Sequence, residues 1–370
     1  MKRRSFIEKA AIGTVAISSL PLFNIISRQQ KDKLGVALVG LGSYSEGQLG
    51  PALLETKDCY LAGIVTGSPD KEGKWAEKYE IPDGNIYSYL NYDEIADNKD
   101  IDIIYVVLPN SMHAEYTIRG LQAGKHVTCE KPMSTNYADA VRMIDAAKKA
   151  NKKLSIGYRL HYDPFNLEMM RLGQKKVYGE ITEIEAGFGF ELKDKKRWRL
   201  DKEMAGGGPL MDVGIYALQA AIYTLGQLPT AVKAMDTTNN KAFYGDVEGS
   251  LEWEFKFDSR AKAKMNSTYE KPYYGYYDVK TASDSFGLRP AYIYGNLKAN
   301  VNGNPLDIQP LNQQAAQMDA FAKNLKNNSK CLVPGEMGAR DMFILDKIYE
   351  SIASGKEESL KGLPQIQHLL

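Results

Sequence analysis

Apolar positions along the chain follow two rhythms, and the change between them divides it. Between residues 34 and 157, short apolar runs alternate with stretches of helical period. The runs at 34–39, 60–65, 101–108, 126–129 and 153–157 read as strands buried inside a sheet. The stretches at 111–124 and 137–150 carry helical spacing, the first closing on Gly124 as a C-cap. This alternation predicts a doubly wound parallel sheet. Ligands of such sheets bind beyond the carboxyl ends of the strands. Here those ends carry Gly40-Leu41-Gly42-Ser43, Thr66-Gly67-Ser68, Pro109-Asn110 and Glu130-Lys131-Pro132.

Beyond residue 158 a period of two takes over. Leu251, Trp253, Phe255 and Phe257 alternate with Glu252, Glu254 and Lys256, the pattern of a strand with one buried face. Segments 181–192 and 261–269 read as further strands, and helices are expected on either side of Pro334-Gly335. The fold class expected is an N-terminal Rossmann-type parallel sheet followed by an α+β domain with a large, mainly antiparallel open sheet. Helices cover one face of that sheet. The tyrosine-rich stretch 273–277 marks the other face as a subunit interface in a homodimer or homotetramer. The domains are drawn at 1–33 (leader and N-terminal arm), 34–158 (cofactor domain) and 159–370 (catalytic domain with C-terminal helices).

Composition removes several classes of function. The net charge is +1, with 44% hydrophobic and 25% charged residues, so no global field favours nucleic acid. Cys59, Cys129 and Cys331 are too scattered for a disulfide framework and are expected as buried thiols. The four histidines, 113, 126, 161 and 368, are not paired at ligand spacing, so no metal is expected. The chain opens Lys2-Arg3-Arg4-Ser5-Phe6-Ile7-Glu8-Lys9, followed by an uncharged, mildly apolar stretch at 10–27 that Pro21 interrupts. Paired arginines before such a stretch form a twin-arginine export leader, which predicts a periplasmic protein with no stable membrane insertion after processing. Cleavage is expected between about residues 19 and 33.

The glycine turn fits a dinucleotide. Gly40 permits the tight turn, and Gly42 lets backbone near a pyrophosphate at the following helix N-terminus, beside Ser43. Ser45 stands where the motif's third glycine is usual. The second strand ends Val65-Thr66-Gly67-Ser68, with Lys71 close behind and no carboxylate at its end. Thr66 and Ser68 can donate to a 2′-phosphate and Lys71 can neutralise it, which favours NADP, with NAD as the other candidate.

The chemistry is sought in Gly206-Gly207-Gly208-Pro209-Leu210-Met211-Asp212-Val213-Gly214-Ile215-Tyr216, read as a glycine loop entering a helix. Asp212 and Tyr216 are four apart and so share a helix face. The glycines are expected to let backbone come close to a ligand. Oxidising a carbinol needs a base for its hydroxyl proton, and free tyrosine, with a pKa near 10, needs a neighbouring ammonium to serve. Tyr216 is assigned as acid/base, Lys131 as its activator and a hydroxyl donor, and Asp212 as the group orienting either the substrate or Lys131. Lys131 as the proton carrier stays open.

These segments together resemble the Gfo/Idh/MocA oxidoreductase family. The stretches "LPNSMHAEYTIRGLQAGKHVTCEKPM", "IGYRLHYDPFN" and "RWRLDKEMAGGGPLMDVGIY" carry the likeness. Many members hold His where this chain has Tyr216, and the tyrosine form resembles the glucose–fructose oxidoreductase branch. The resemblance implies cofactor contacts from Tyr44, Pro109, Asn110, His113, Glu130, Lys131, Arg159, Trp198, Arg199 and Tyr216. Trp198 would cover a ring face and the arginines would take phosphate or ribose. It also implies a sugar substrate, which segment 188–196 would border. Without a replenished nucleotide pool outside the cytoplasm, an exported member must keep its NADP and return the hydride to a second sugar. An aldose dehydrogenase with exchangeable cofactor, a glycosidase using transient oxidation, and a non-catalytic NADP sensor are the competing expectations.

Overall fold

The structure, a computed structural model, describes residues 32–194 and 198–363. The twin-arginine segment and residues 195–197 of the expected substrate-bordering stretch lie outside the described residues.

Six strands form the first sheet: β1 (Leu34–Val39), β2 (Cys59–Val65), β3 (Ile86–Tyr87), β4 (Ile103–Val106), β5 (His126–Cys129) and β6 (Leu154–Ile156). All pair in parallel in the order β3-β2-β1-β4-β5-β6, the doubly wound arrangement expected. Between them run α1 (Gly50–Glu55), α2 (Pro69–Tyr79), α3 (Asn110–Gln122) and α4 (Tyr137–Ala150). Local chemistry sets their limits. The Asn136 side chain caps α4 by accepting from the Asp139 N–H, and Asn151 ends it in the left-handed conformation. The apolar run 101–108 outlasts its strand, because Val107 and Leu108 turn out of the sheet to line a cleft.

A 3₁₀ turn at Arg159–Tyr162 leads to α5 (Pro164–Gln174), β7 (Glu183–Gly189), the one-turn helix α6 (Lys202–Ala205) and α7 (Ile215–Leu225). Then come β8 (Ala231–Asp236), the short α8 (Lys241–Tyr244), β9 (Ser250–Lys256), β10 (Lys262–Thr268), β11 (Tyr274–Lys280), β12 (Ser285–Leu288), β13 (Ala299–Val301) and β14 (Asn304–Pro305). Helices α9 (Gln313–Lys326) and α10 (Gly335–Ser354) and strand β15 (Glu358–Ser359) complete the described chain. The second sheet runs β14-β13-β12-β11-β7-β10-β9-β8-β15 and is antiparallel except where β7 and β10 pair in parallel.

Its two faces follow the alternation. Leu251, Trp253, Phe255, Ala263, Met265, Ile184 and Ala186 point into one core with the almost wholly buried α7, whereas Glu252, Glu254, Lys256, Lys262 and Lys264 face outward. The tyrosine run splits three ways. Tyr273 lines the cleft, Tyr277 is buried with its hydroxyl on Thr224, and Tyr274 and Tyr276 lie on the open face. Those last two rings are stacked at 6.1 Å, joined through Asn266, and lie over Gly187 and Gly189, where a Cβ would meet them at 2.6 and 2.8 Å.

Helix α9 returns to the first sheet. Ala315, Met318, Phe321 and Ala322 pack with Val36, Leu38, Ile64 and Ile103 in one apolar cluster. Its glutamines reach under the cleft: Gln317 Nε2 donates to Tyr105 Oη (2.7 Å), and Gln313 takes Arg159.

Candidate active site

One cleft of about 1130 Å³ lies across the carboxyl ends of β1, β2, β4 and β5 and the open end of the second domain. It collects every residue assigned to cofactor or chemistry: Gly40, Gly42, Ser43, Tyr44, Thr66, Ser68, Lys71, Pro109, Asn110, His113, Glu130, Lys131, Arg159, Trp198, Arg199, Asp212 and Tyr216.

The glycine turn has the required shape. Gly40 has φ +92°, and a Cβ there would strike the Val107 carbonyl oxygen and come within 2.7 Å of Leu108 Cδ2. The Cβ direction of Gly42 is open space, so a ligand can approach the backbone there. Ser45 has a local reason to replace glycine: its buried hydroxyl donates to the Gly40 carbonyl at 2.6 Å and closes the turn. Lys71 reaches back across the cleft mouth, its ammonium donating to the Leu41 carbonyl at 2.9 Å. Thr66 Oγ1 accepts from the Ser68 N–H at 3.2 Å, which fixes the loop after β2.

The strand ends are held from below. Glu130 is buried and accepts from Tyr105 Oη at 2.6 Å and from its neighbour's N–H. Burial raises its carboxyl above the usual range, against the Tyr105 hydrogen bond and Lys131. His113 sits between the Pro132 and Leu108 carbonyls, each at 2.8 Å, tying the β4 and β5 loops together. Burial nevertheless lowers it to about 4. Asn110 Nδ2 donates to the Ala205 carbonyl at 2.8 Å, joining the two domains at the cleft.

Residues Leu210–Gly214 form a wide π-turn that runs into α7, so Asp212 and Tyr216 both reach the cleft. Lys131 Nζ donates to the Asp212 carbonyl at 2.6 Å and lies 3.6 Å from its carboxylate and 5.0 Å from the Tyr216 ring centre. The carboxylate takes Arg199 Nε at 2.7 Å and Tyr269 Oη at 3.0 Å. Burial would raise this carboxyl, but Arg199 and then Lys131 outweigh it and hold the group well below the ordinary carboxylate range. Of the two roles considered for Asp212, the geometry favours that of fixed counter-ion to Lys131 and Arg199.

Two expectations are corrected. The glycines of the 206–208 loop admit protein, not ligand. A Cβ on Gly207 would overlap the Tyr349 hydroxyl, and one on Gly208 the Glu248 carbonyl. Glu248 clamps this loop by accepting from the Gly208 N–H (3.0 Å), the Leu210 N–H (3.2 Å) and Tyr349 Oη (3.0 Å). Arg159 does not hold its guanidinium free for phosphate; it donates to the Tyr292 and Ile293 carbonyls and to Gln313.

The far wall was not foreseen beyond segment 188–196. Phe188, Tyr216 and Tyr292 pack ring to ring at 5.3–5.9 Å, and Phe190, Leu192, Tyr273 and Tyr294 extend the surface. Arg199 lies 4.7 Å from the Trp198 ring centre. Among the described residues no helix is long and apolar enough to cross a membrane.

Known proteins share this architecture. Residues 34–158 match the oxidoreductase family with an NAD-binding Rossmann fold, and 167–303 match the GFO/IDH/MocA C-terminal domain. A crystal structure of an aldose-aldose oxidoreductase from Caulobacter crescentus, complexed with glycerol, superimposes with a TM-score of 0.86. It is 37% identical, over 89% of this chain and 100% of that one. The D-xylose 1-dehydrogenase (NADP(+)) 2 of Haloferax volcanii is 26% identical over 87% of this chain and 97% of its own length. The D-glucoside 3-dehydrogenase of Escherichia coli is 26% identical over 90% and 99%. With both domains matched in order, and a relative this similar along its full length, the chain belongs to the Gfo/Idh/MocA oxidoreductase family.

Proposed function

We propose that this protein is a sugar oxidoreductase that keeps NADP bound, oxidises an aldose at C1 to the lactone and returns the hydride to a keto sugar. The observation that carries this is a single cleft holding both the dinucleotide turn and the Lys131–Asp212–Tyr216 group. At about 1130 Å³ it exceeds the roughly 300–1,000 Å³ of an ordinary single-ligand pocket, leaving room for a sugar beside a dinucleotide. The aldose-aldose oxidoreductase and the NADP-dependent xylose dehydrogenase among its relatives support the substrate class.

The residues present fit the cofactor. Gly42 leaves backbone open to a pyrophosphate, and Thr66, Ser68 and Lys71 offer donors and charge, without a carboxylate, where a 2′-phosphate would lie. When bound, the dinucleotide supplies the hydride acceptor and, in the return half, the donor. The protein supplies the rest. Lys131 donates to the sugar hydroxyl, Tyr216 takes its proton, and Asp212 holds Lys131 in place. The aromatic wall of Phe188, Tyr292 and Tyr294 excludes water and packs against the apolar face of a pyranose. The proposed twin-arginine leader fits a retained cofactor, because a periplasmic enzyme has no nucleotide pool to draw on. A homodimer or homotetramer through the open sheet completes the proposal, supported by the flat tyrosine pair over Gly187 and Gly189.

Gel filtration of the purified protein tests this. NADP(H) should travel with protein of dimer or tetramer size, and glucose or xylose should reduce it in place, with a keto sugar then reoxidising it. Apo monomer binding NADP only at micromolar strength would instead support an aldose 1-dehydrogenase with exchangeable cofactor, the reading that the Haloferax relative favours.

A further inference from the structure

Arg159 carries a buried charge that no described carboxylate pairs with directly; Glu130 acts on it only through space. It is 2% exposed, and the atoms that accept its hydrogen bonds are neutral oxygens: the Tyr292 carbonyl at 2.5 Å, the Ile293 carbonyl at 3.2 Å and the Gln313 side chain. Its Nε, also buried, meets no acceptor. Among the described residues no Asp or Glu lies within salt-bridge distance of it; Asp163 is reached only through Gln313. A guanidinium does not give up its proton, so this positive charge is permanent and costly unless an anion comes to it.

Its surroundings name the anion. The guanidinium carbon lies 5.3 Å from the Tyr216 ring centre and 4.5 Å from that of Tyr294. Tyr294 is half exposed at the cleft mouth, whereas Tyr216 is 7% exposed at the chemical centre. Lys131, on the same Tyr216 ring, is already engaged with the Asp212 carbonyl and close to its carboxylate. Burial works against the charge of Arg159, yet Tyr216, Tyr44 and Tyr294 hold its proton more firmly than in an ordinary arginine.

We propose that Arg159 is a positioning residue that acts through Tyr216: its guanidinium is the counter-charge for the Tyr216 phenolate, and its carbonyl bonds fix the Tyr292–Ile293 wall beside that phenol. This rests on the reading of Tyr216 as acid/base and assigns the proton to it, not to Lys131. In the oxidative half the sugar O–H bond breaks and the Tyr216 O–H bond forms. The freed electron pair becomes part of the new carbonyl, and the carbinol hydrogen leaves with its own pair to the oxidised NADP of the proposed function. The return half reverses each transfer. The groups facing Tyr216 are Lys131 after β5, Arg159 after β6, Tyr44 from the glycine turn, and Tyr292 and Tyr294 before β13, while the Glu130 and Asp212 carboxylates act on the neighbouring Tyr294.

The test is kcat against pH, with xylose or glucose as donor and fructose as the keto-sugar acceptor, for the purified holoenzyme, Arg159→Gln, Arg159→Lys and Tyr216→Phe. Arg159→Gln should move the acid limb up by at least one pH unit and cut kcat at neutral pH about 10-fold, with activity returning at high pH. Arg159→Lys keeps the charge and should keep the limb in place. Both should retain NADP through gel filtration. A uniform loss at every pH, or a defect confined to NADP retention, overturns the proposal. If Arg159→Gln does not fold, Arg159→Lys decides on the position of the limb alone: a limb displaced as far as one unit overturns it, and an unmoved limb supports it. Wild-type kcat in Tyr216→Phe would sink the acid/base reading itself, a result separate from any shift at Arg159.

Discussion

Glycine is used in opposite senses at the two glycine-rich segments. At Gly42 the missing side chain leaves a space, whereas at Gly207 the space is already filled by Tyr349. Gly207→Ala is therefore expected to cost about 1–3 kcal/mol through overpacking, read as a lowered urea midpoint. Tyr349→Phe should relieve part of it by removing the hydroxyl, and equal losses with and without that change would refute the contact as the cause. Lys131, Asp212 and Tyr216 were legible in the sequence because local signals mark them: a strand end and a helix entry. Tyr269 and Glu248 were not, since each acts on a segment 57 or 40 residues away. A tyrosine at the end of a strand and a glutamate in a loop carry no mark of such a distant partner.

Elements were more legible than their ends. β5 and α4 fall where the apolar pattern puts them, and β4 stops short because the end of its apolar run belongs to the cleft. The wide turn at Leu210–Gly214 carries no periodic signature that separates it from ordinary helix. The loop from β2 into α2 is the element on which the proposed cofactor choice depends. Lys71→Ala removes a charge from its mouth and should weaken NADP binding about 10-fold while leaving NAD binding nearly unchanged. Equal weakening of both would place Lys71 away from the 2′-phosphate. This binding comparison is made on protein stripped of nucleotide.

Among the described residues of the whole molecule, three histidines report on acid. Burial lowers His113 to about 4, lowers His126 to about 4 with help from Lys152 and Lys153, and lowers His161 further beside Arg340. The unfolded chain, with histidine near 6.5, binds protons that the folded chain refuses. Stability should therefore fall as pH drops through about 6.5 and keep falling toward about 4. Glu130 and Glu248, raised by burial, act in the opposite direction nearer the carboxylate range. Urea midpoints at several pH values check the sign, and a midpoint unchanged between about pH 7 and 5 would contradict it.

Helix α9 has a consequence for how the protein is made. Its apolar face finishes the packing of β1, β2 and β4, yet it lies more than 200 residues beyond the last of them in the chain. A ribosome that has released only the nucleotide-binding half has delivered a sheet with one face covered by α1 and α2 alone. That face is completed only when α9 emerges, so the nascent half is expected to leave an apolar strip of the sheet open until nearly all of the chain is made.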